Sequence, residues 1–216
     1  VVSFVQLQDR VRDAIGAADQ RKLRFIDQLF RSRAAQLVFD AVAPQDRFDT
    51  RRLADRLEER KVHAELSEAD AQFVAARDML FLATCDPGGQ PTCSFKAGEP
   101  GFIRVINRQT LLFPWYDGNG MFLSAGNVAA TSRIGLLLID FEAQRRLRLE
   151  GDAELVDDPA TLAGHPGAQF VVRVRLRRIY PNCPRYIPKY RLVERSAFIP
   201  RTDYAPPVPD WKRADW

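Results

Sequence analysis

The chain is poor in the residues that most often carry chemistry by themselves. It has only two histidines, three cysteines and two methionines among 216 residues. Neither histidine sits in an HExxH pattern, and no GxSxG motif is present, which excludes the commonest zinc-hydrolase and serine-hydrolase arrangements. Cys85, Cys93 and Cys183 form no CxxC pair and have no histidine at zinc-ligand spacing, so no metal is expected. Cys85 and Cys93 flank the turn DPGGQ, but the odd count fits reduced thiols better than a disulfide framework. No stretch approaches the roughly 20 apolar residues that span a bilayer, and VVSFVQLQDR lacks the basic-then-apolar order of a secretory signal. A cytoplasmic protein without membrane partners is the expectation.

What is present is an apolar fraction of 46% and a net charge of +4, carried almost entirely by arginine. That balance permits an anionic ligand without demanding nucleic acid. Residues 3 to about 78 read as helical, with Leu23, Ile26, Phe30, Val38 and Phe39 recurring near a 3.6-residue period. Asp49 or Thr50 is placed to cap a helix through Leu53 and Leu57, and Ser67 with Asp70 forms an acidic capping box.

From Met79 the period changes. MLFLATC, the turn DPGGQ and PTCSFK predict a β-hairpin, and GFIRVI and TLLFPWY add two strands. A short helix is expected within 119–133, followed by GLLLIDF, apolar enough for a strand buried on both faces. RRLRLEGDAELV and FVVRVRLRRIY alternate charged and apolar positions, the period of half-buried strands. So many strands in succession predict a closed or nearly closed barrel. The proline-rich tail after Pro200 is expected to be disordered or laid over another surface. The predicted divisions are a helical extension at 1–66, a barrel domain at 67–193 and a tail at 194–216.

The ordered set FLATCDPGGQPTCSFKAGEPGF, YDGNGMFLSAGN, GLLLIDF and RRLRLEG resembles the pyridoxamine 5'-phosphate oxidase-like flavoproteins, and more narrowly their FMN-binding branch with "ATxDxxGxP", "GxPGF" and "LGN" signatures. The resemblance covers about 70–190. It implies a mainly β (α+β) fold, a split β-barrel with an N-terminal helical extension, and FMN lying at a homodimer interface. The stretch from Cys93 to Lys96 matches the strand that contacts flavin and phosphate, which implies Ser94, Phe95 and Lys96 as cofactor ligands. Asn119, Ser124 and Asn127 match the second phosphate region, and helix capping is the alternative for Ser124 and Asn127. Gly118, Asn119 and Gly120 replace the Ser-Arg-Lys run of the oxidase proper, which puts more weight on Lys96 and Arg133.

Arg146 stands where the oxidases place a glutamine toward the flavin ring; a surface arginine paired with Glu150 or Asp152 is the alternative. The arginine and histidine that grip vitamin B6 phosphate are missing, and NCPRYIPKY ends the matched region instead. Cys183 and Tyr186 fall near the partner's flavin by the same comparison. The implied activity is an FMN-dependent oxidoreductase passing hydride or electrons between a small-molecule donor and acceptor, with Phe113, Trp115 and Tyr116 as candidate acceptor walls. The alternative is a non-catalytic module of the same fold that stores or senses flavin or haem, and a deazaflavin is a further cofactor candidate. A nucleic-acid surface on Arg173, Arg175, Arg177 and Arg178 is disfavoured because no stacking aromatics share that face. His63 and His165 are both expected to be solvated.

Overall fold

The computed structural model describes residues 44–213 together with positions 10, 11, 13, 14, 22 and 24. The helical reading at Leu23, Ile26, Phe30, Val38 and Phe39 lies outside the described residues. The chain divides into two compact units, Val1–Arg60 and Lys61–Trp216. In the first, Thr50 accepts amide bonds from Leu53 and Ala54 and so opens helix α1, Arg51–Lys61.

The second unit begins with helix α2, Glu68–Ala75, which carries the expected reciprocal cap: Ser67 accepts from the Asp70 amide while the Asp70 carboxylate accepts from the Ser67 amide. Two orphan amides are thereby satisfied at one end. β1 (Met79–Cys85) and β2 (Pro91–Ala97) form the hairpin. Its turn is closed by the Asp86 carboxylate accepting from the Gln90 amide and by Gly89 at φ +89°, a conformation open to glycine at no steric cost. Across it Cys85 faces Pro91 and Cys93 faces Ala83, so the two thiols are two residues out of register, and all three cysteines are free.

β3 (Arg104–Asn107) and β4 (Thr110–Tyr116) make a second hairpin, helix α3 spans Leu123–Thr131, and β5 (Arg133–Asp140), β6 (Arg145–Val156) and β7 (Ala168–Pro181) form a meander with short helix α4, Pro159–Ala163, before its last strand. All seven strands belong to one antiparallel sheet in the order β2-β1-β5-β6-β7-β4-β3. The expectation of closure is therefore corrected: β2 and β3 end the sheet without pairing to each other. This is the open form of a split barrel. Pro114 is tolerated in β4 because β3 pairs only as far as Leu112, which leaves the proline position without a neighbour on that side.

Leu80, Leu82, Leu111, Phe113, Leu138, Leu149, Val172, Val174 and Ile179 are fully enclosed and form the core with Leu66 and Val74 from the α2 region. β5 alternates between Ile134, Leu136 and Leu138, which are buried, and Gly135, Leu137 and Ile139, which are half-buried; it is not covered on both faces as its apolarity had suggested. Between β6 and β7 the register slips after Glu150, and there a side chain on Gly151 would stand 2.3 Å from the Arg175 carbonyl oxygen. Only glycine allows the two backbones to approach so closely.

On the outer side of these strands Arg173 pairs with Glu154 at 2.7 Å, Arg177 with Asp152, and Arg178 with Glu150 at 3.4 Å. Three of the four arginines in the row are thus matched by carboxylates, which breaks up a continuous positive stripe for a phosphate backbone. The tail lies over the sheet end: Arg201 pairs with Glu99 at 2.9 Å, and Lys212 with Asp117. Among the described residues no helix is long and apolar enough to cross a membrane.

Candidate functional site

Alternation along β2 sends Ser94 and Lys96 to one side, and α3 begins opposite them. The two meet in a cavity of about 410 Å³ lined by Ser94, Phe95, Lys96, Trp115, Asn119 and Ser124, with Tyr116 at one end. The Ser124 hydroxyl donates to the Ser94 hydroxyl at 3.3 Å, joining helix to strand. Ser124 lies in the first turn of the helix rather than at its cap, since the cap position is Phe122, held at φ +49° without any side-chain cap bond. The opening amides of α3 therefore take no bond from a cap side chain, and the helix start carries partial positive charge. Upstream, Asn119 accepts the Met121 amide at 3.1 Å and shapes the loop that leads in.

Lys96 is the cation of this site. Its ammonium lies 3.5 Å from the centre of the Trp115 ring, and no carboxylate pairs with it among the described residues. Burial lowers its pKa from the ordinary 10.5, because desolvation disfavours the charged form. An ammonium held over an indole face in place of an acid is ready to meet an anion. Trp115 itself stacks on Phe170 with centroids 5.2 Å apart, giving the cavity a rigid aromatic floor. Burial and the nearby Glu99 charge raise the Tyr116 pKa, keeping its hydroxyl protonated as a donor.

The remaining expected residues fall elsewhere. Asn127 points beneath the cavity, donating to Thr84 at 3.1 Å and Thr92 at 3.4 Å, and so ties α3 to the first hairpin. Arg146 lies opposite Ile139 on β6 and lines a separate small cavity with Asp70 and Phe73; its Nε is enclosed without a hydrogen-bond partner. Arg133 is engaged with Asp152 at 3.5 Å, and Phe113 is wholly in the core rather than at a ligand wall. Cys183 and Tyr186 are exposed. His63 bonds Asp70 at 3.0 Å, whereas His165 is only 6% exposed, so the expectation of a solvated His165 is corrected.

The rim carries Phe95, implied above as a ligand, and three residues to which the sequence reading gave no role. Phe95, Met121, Phe122 and Leu123 are 56%, 62%, 43% and 58% exposed around one opening. Their signal was available: three apolar residues in succession inside an otherwise polar loop are out of place unless something covers them.

A search of curated proteins returned no match. Solved structures of similar fold include HupZ of Group A Streptococcus, 18% identical over 54% of this chain and 93% of that one with a TM-score of 0.44. An FMN-binding protein of Syntrophomonas wolfei is 12% identical over 66% of this chain and 97% of its own, with a TM-score of 0.40. HutZ, the heme storage protein of Vibrio cholerae, is 18% identical over 50% of this chain and 89% of its own, with a TM-score of 0.37. The family model described as pyridoxamine 5'-phosphate oxidase matches residues 66–195, more than half of the chain and every strand of the sheet; the chain belongs to that family.

Proposed function

We propose that the chain is an FMN-dependent oxidoreductase that binds its cofactor in the β2–α3 cavity and works as a homodimer. The carrying observation is the convergence in one cavity of two serine hydroxyls, a helix start without a side-chain cap and a desolvated lysine with no acidic partner among the described residues, above an aromatic floor. The volume of about 410 Å³ lies within the range of roughly 300–1,000 Å³ usual for small-molecule sites. The donor set fits a phosphate, Trp115 beside it offers a flat ring an apolar wall, and the Phe95 main chain lines the cavity between Ser94 and Lys96.

Ser94, Ser124 and Lys96 would hold the phosphate, Asn119 would order the loop beside it, and the Phe95 main chain would meet the ring edge. FMN, when bound, supplies hydride and single-electron chemistry. The protein's part is to fix position and exclude water: Trp115, clamped by Phe170, defines the floor, and Tyr116 keeps a proton at its oxygen. Arg146, remote from the cavity within one chain, is not needed for the phosphate. The homodimer reading is supported by the exposed Phe95, Met121, Phe122 and Leu123, which a second copy would cover together with the free edge of β2.

The test is the absorbance spectrum of the purified full chain before and after incubation with FMN, followed by release and identification of the chromophore and by sedimentation. A flavin spectrum on a two-copy species, bleached anaerobically by NADH or NADPH, is expected. A Soret band with no flavin uptake, or no bound chromophore at all, would overturn the cofactor reading. Bound flavin that no donor reduces would leave a storage or sensing module in its place.

A further inference from the structure

The open sheet leaves a seam beside the β2–α3 cavity. β2 and β4 stand first and sixth in the strand order and share no ladder, yet the cavity is built from both, with the Lys96 ammonium of β2 over the Trp115 ring of β4 at 3.5 Å. The loop that leads from β4 into α3 is lightly packed: a side chain added at Gly118 or Gly120 would meet nothing within 4 Å. The sheet by itself does not hold this mouth to one width.

The C-terminal tail joins the two sides of the seam. Glu99, just beyond the end of β2, pairs with Arg201 at 2.9 Å, and Asp117, the residue after β4, pairs with Lys212. Between these pins, three of the eight residues 202–209 are proline, whose fixed φ leaves the span little freedom to lose on being tied down. Ile199 and Pro200 anchor its near end by burial. At its far end a single 3-10 turn, Asp210–Lys212, presents a lysine side chain only 22% exposed, its ammonium 5.4 Å from the centre of the Trp211 ring. A cation seated in this way loses less freedom on pairing than one on an open surface.

We propose that Lys212 is a positioning residue for the β2–α3 cavity: through Asp117 it latches the loop 118–122, and the tail between Arg201 and Lys212 sets the width of the seam. Lys212 does not line the cavity and acts only through Asp117. The loop carries Asn119 and delivers the start of α3, so a loosened latch lets both drift from the strand that bears Ser94 and Lys96. A ligand in the cavity then escapes faster. That last consequence rests on the cofactor reading given above, whereas the latch itself is a property of the chain without any ligand.

The experiment is amide hydrogen exchange of the full chain without ligand, read by NMR at Met121 and Gly126, which donate to Asn119 Oδ1 and to the Phe122 carbonyl. Lys212→Met, which keeps the aliphatic stem, should speed exchange there by about two- to fivefold while the β6 amides stay unchanged, and Lys212→Arg should restore the original rate. Raising sodium chloride from about 0.01 M to about 1 M should have the same effect on the unaltered chain and little on Lys212→Met, because salt screens the pair. The salt arm depends on no variant folding. Where FMN is retained, its dissociation from Lys212→Met should be about two- to fivefold faster. Unchanged exchange in a folded Lys212→Met, no response to salt in the unaltered chain, or an unchanged FMN dissociation rate would each overturn the proposal. The exchange response in a chain that takes up no FMN supports the latch and removes the cofactor reading alone.

Discussion

Replacing Lys96 and Ser124 together by alanine tests the phosphate assignment most directly. A bond from an ammonium to phosphate contributes about 1.5–3 kcal/mol and a neutral hydroxyl bond about 0.5–1.5 kcal/mol. Two corrections lower the sum. Lys96 must leave the Trp115 ring, at 3.5 Å, to reach an anion and gives up about 0.5–1 kcal/mol of that attraction. Loss of the Ser124 hydroxyl also frees Ser94, bonded to it at 3.3 Å, to turn and compensate. The net loss is about 2–3 kcal/mol, or roughly thirty- to a hundred-and-fifty-fold in Kd. Quenching of FMN fluorescence on titration with protein measures it. His63→Ala, whose ring is bound to Asp70 outside the cavity, serves as the control and should stay within about twofold.

The pH dependence supplies a second arm. Because burial lowers the folded-state pKa of Lys96 below the ordinary 10.5, the ammonium is lost earlier as pH rises than it would be on an open lysine. FMN affinity should therefore fall with rising pH, starting below 10.5, and the fall should vanish in Lys96→Ala. A double variant that holds FMN within threefold of the unaltered chain, with the same alkaline profile, would refute the reasoning.

Trp115→Leu should cost about 2–4 kcal/mol in urea denaturation, since it opens a gap beside Phe170 in a nearly fully buried position; a change under about 0.5 kcal/mol would show that the floor is not packed. Gly151→Ala should lose at least about 1–3 kcal/mol by the same assay, because its methyl would fall 2.3 Å from a backbone oxygen. Gly118→Ala, which meets nothing within 4 Å, should change stability by no more than about 0.5 kcal/mol. Burial alone would raise the Asp140 pKa, but the Ala143 amide and the Arg77 guanidinium at 2.7 Å hold it below the ordinary 3.8. Its stabilisation is present above the unfolded value and is lost as pH falls through the folded one, so acid unfolding should be less steep in Asp140→Asn.

Local chemistry explains what could be read from the chain. The hairpin of β1 and β2 was legible because Asp86 and Gly89 sit where a turn needs a side-chain acceptor and a positive φ. The Ser67–Asp70 box and the charged–apolar alternation of β6 and β7 were legible for the same reason. Ser94, Phe95, Lys96, Asn119 and Ser124 line one cavity. Alternation, however, gives the face of a strand and not the end of the sheet, and so Arg146 fell beside α2 instead. Asn127 and Ser124 both belong to α3, but the threonines that claim Asn127 come from the first hairpin, more than thirty residues away. His165 was misread because AGHPGA looks like an open turn, whereas Pro200 from the tail approaches so closely that a side chain on Gly167 would stand 2.4 Å from it. Contacts that arrive from distant sequence leave no mark in a local window.

The unpaired border of β2 has a consequence for handling the molecule. A strand whose outward amides and carbonyls have no mate among the described residues is a template for any other extended chain, and here it carries Phe95 and lies close to Met121. Pro91 at its start and Lys96 near its end blunt that template, but the middle, from Thr92 to Phe95, carries no such guard. Concentrated protein stripped of whatever normally sits there will stick to itself along this one margin first.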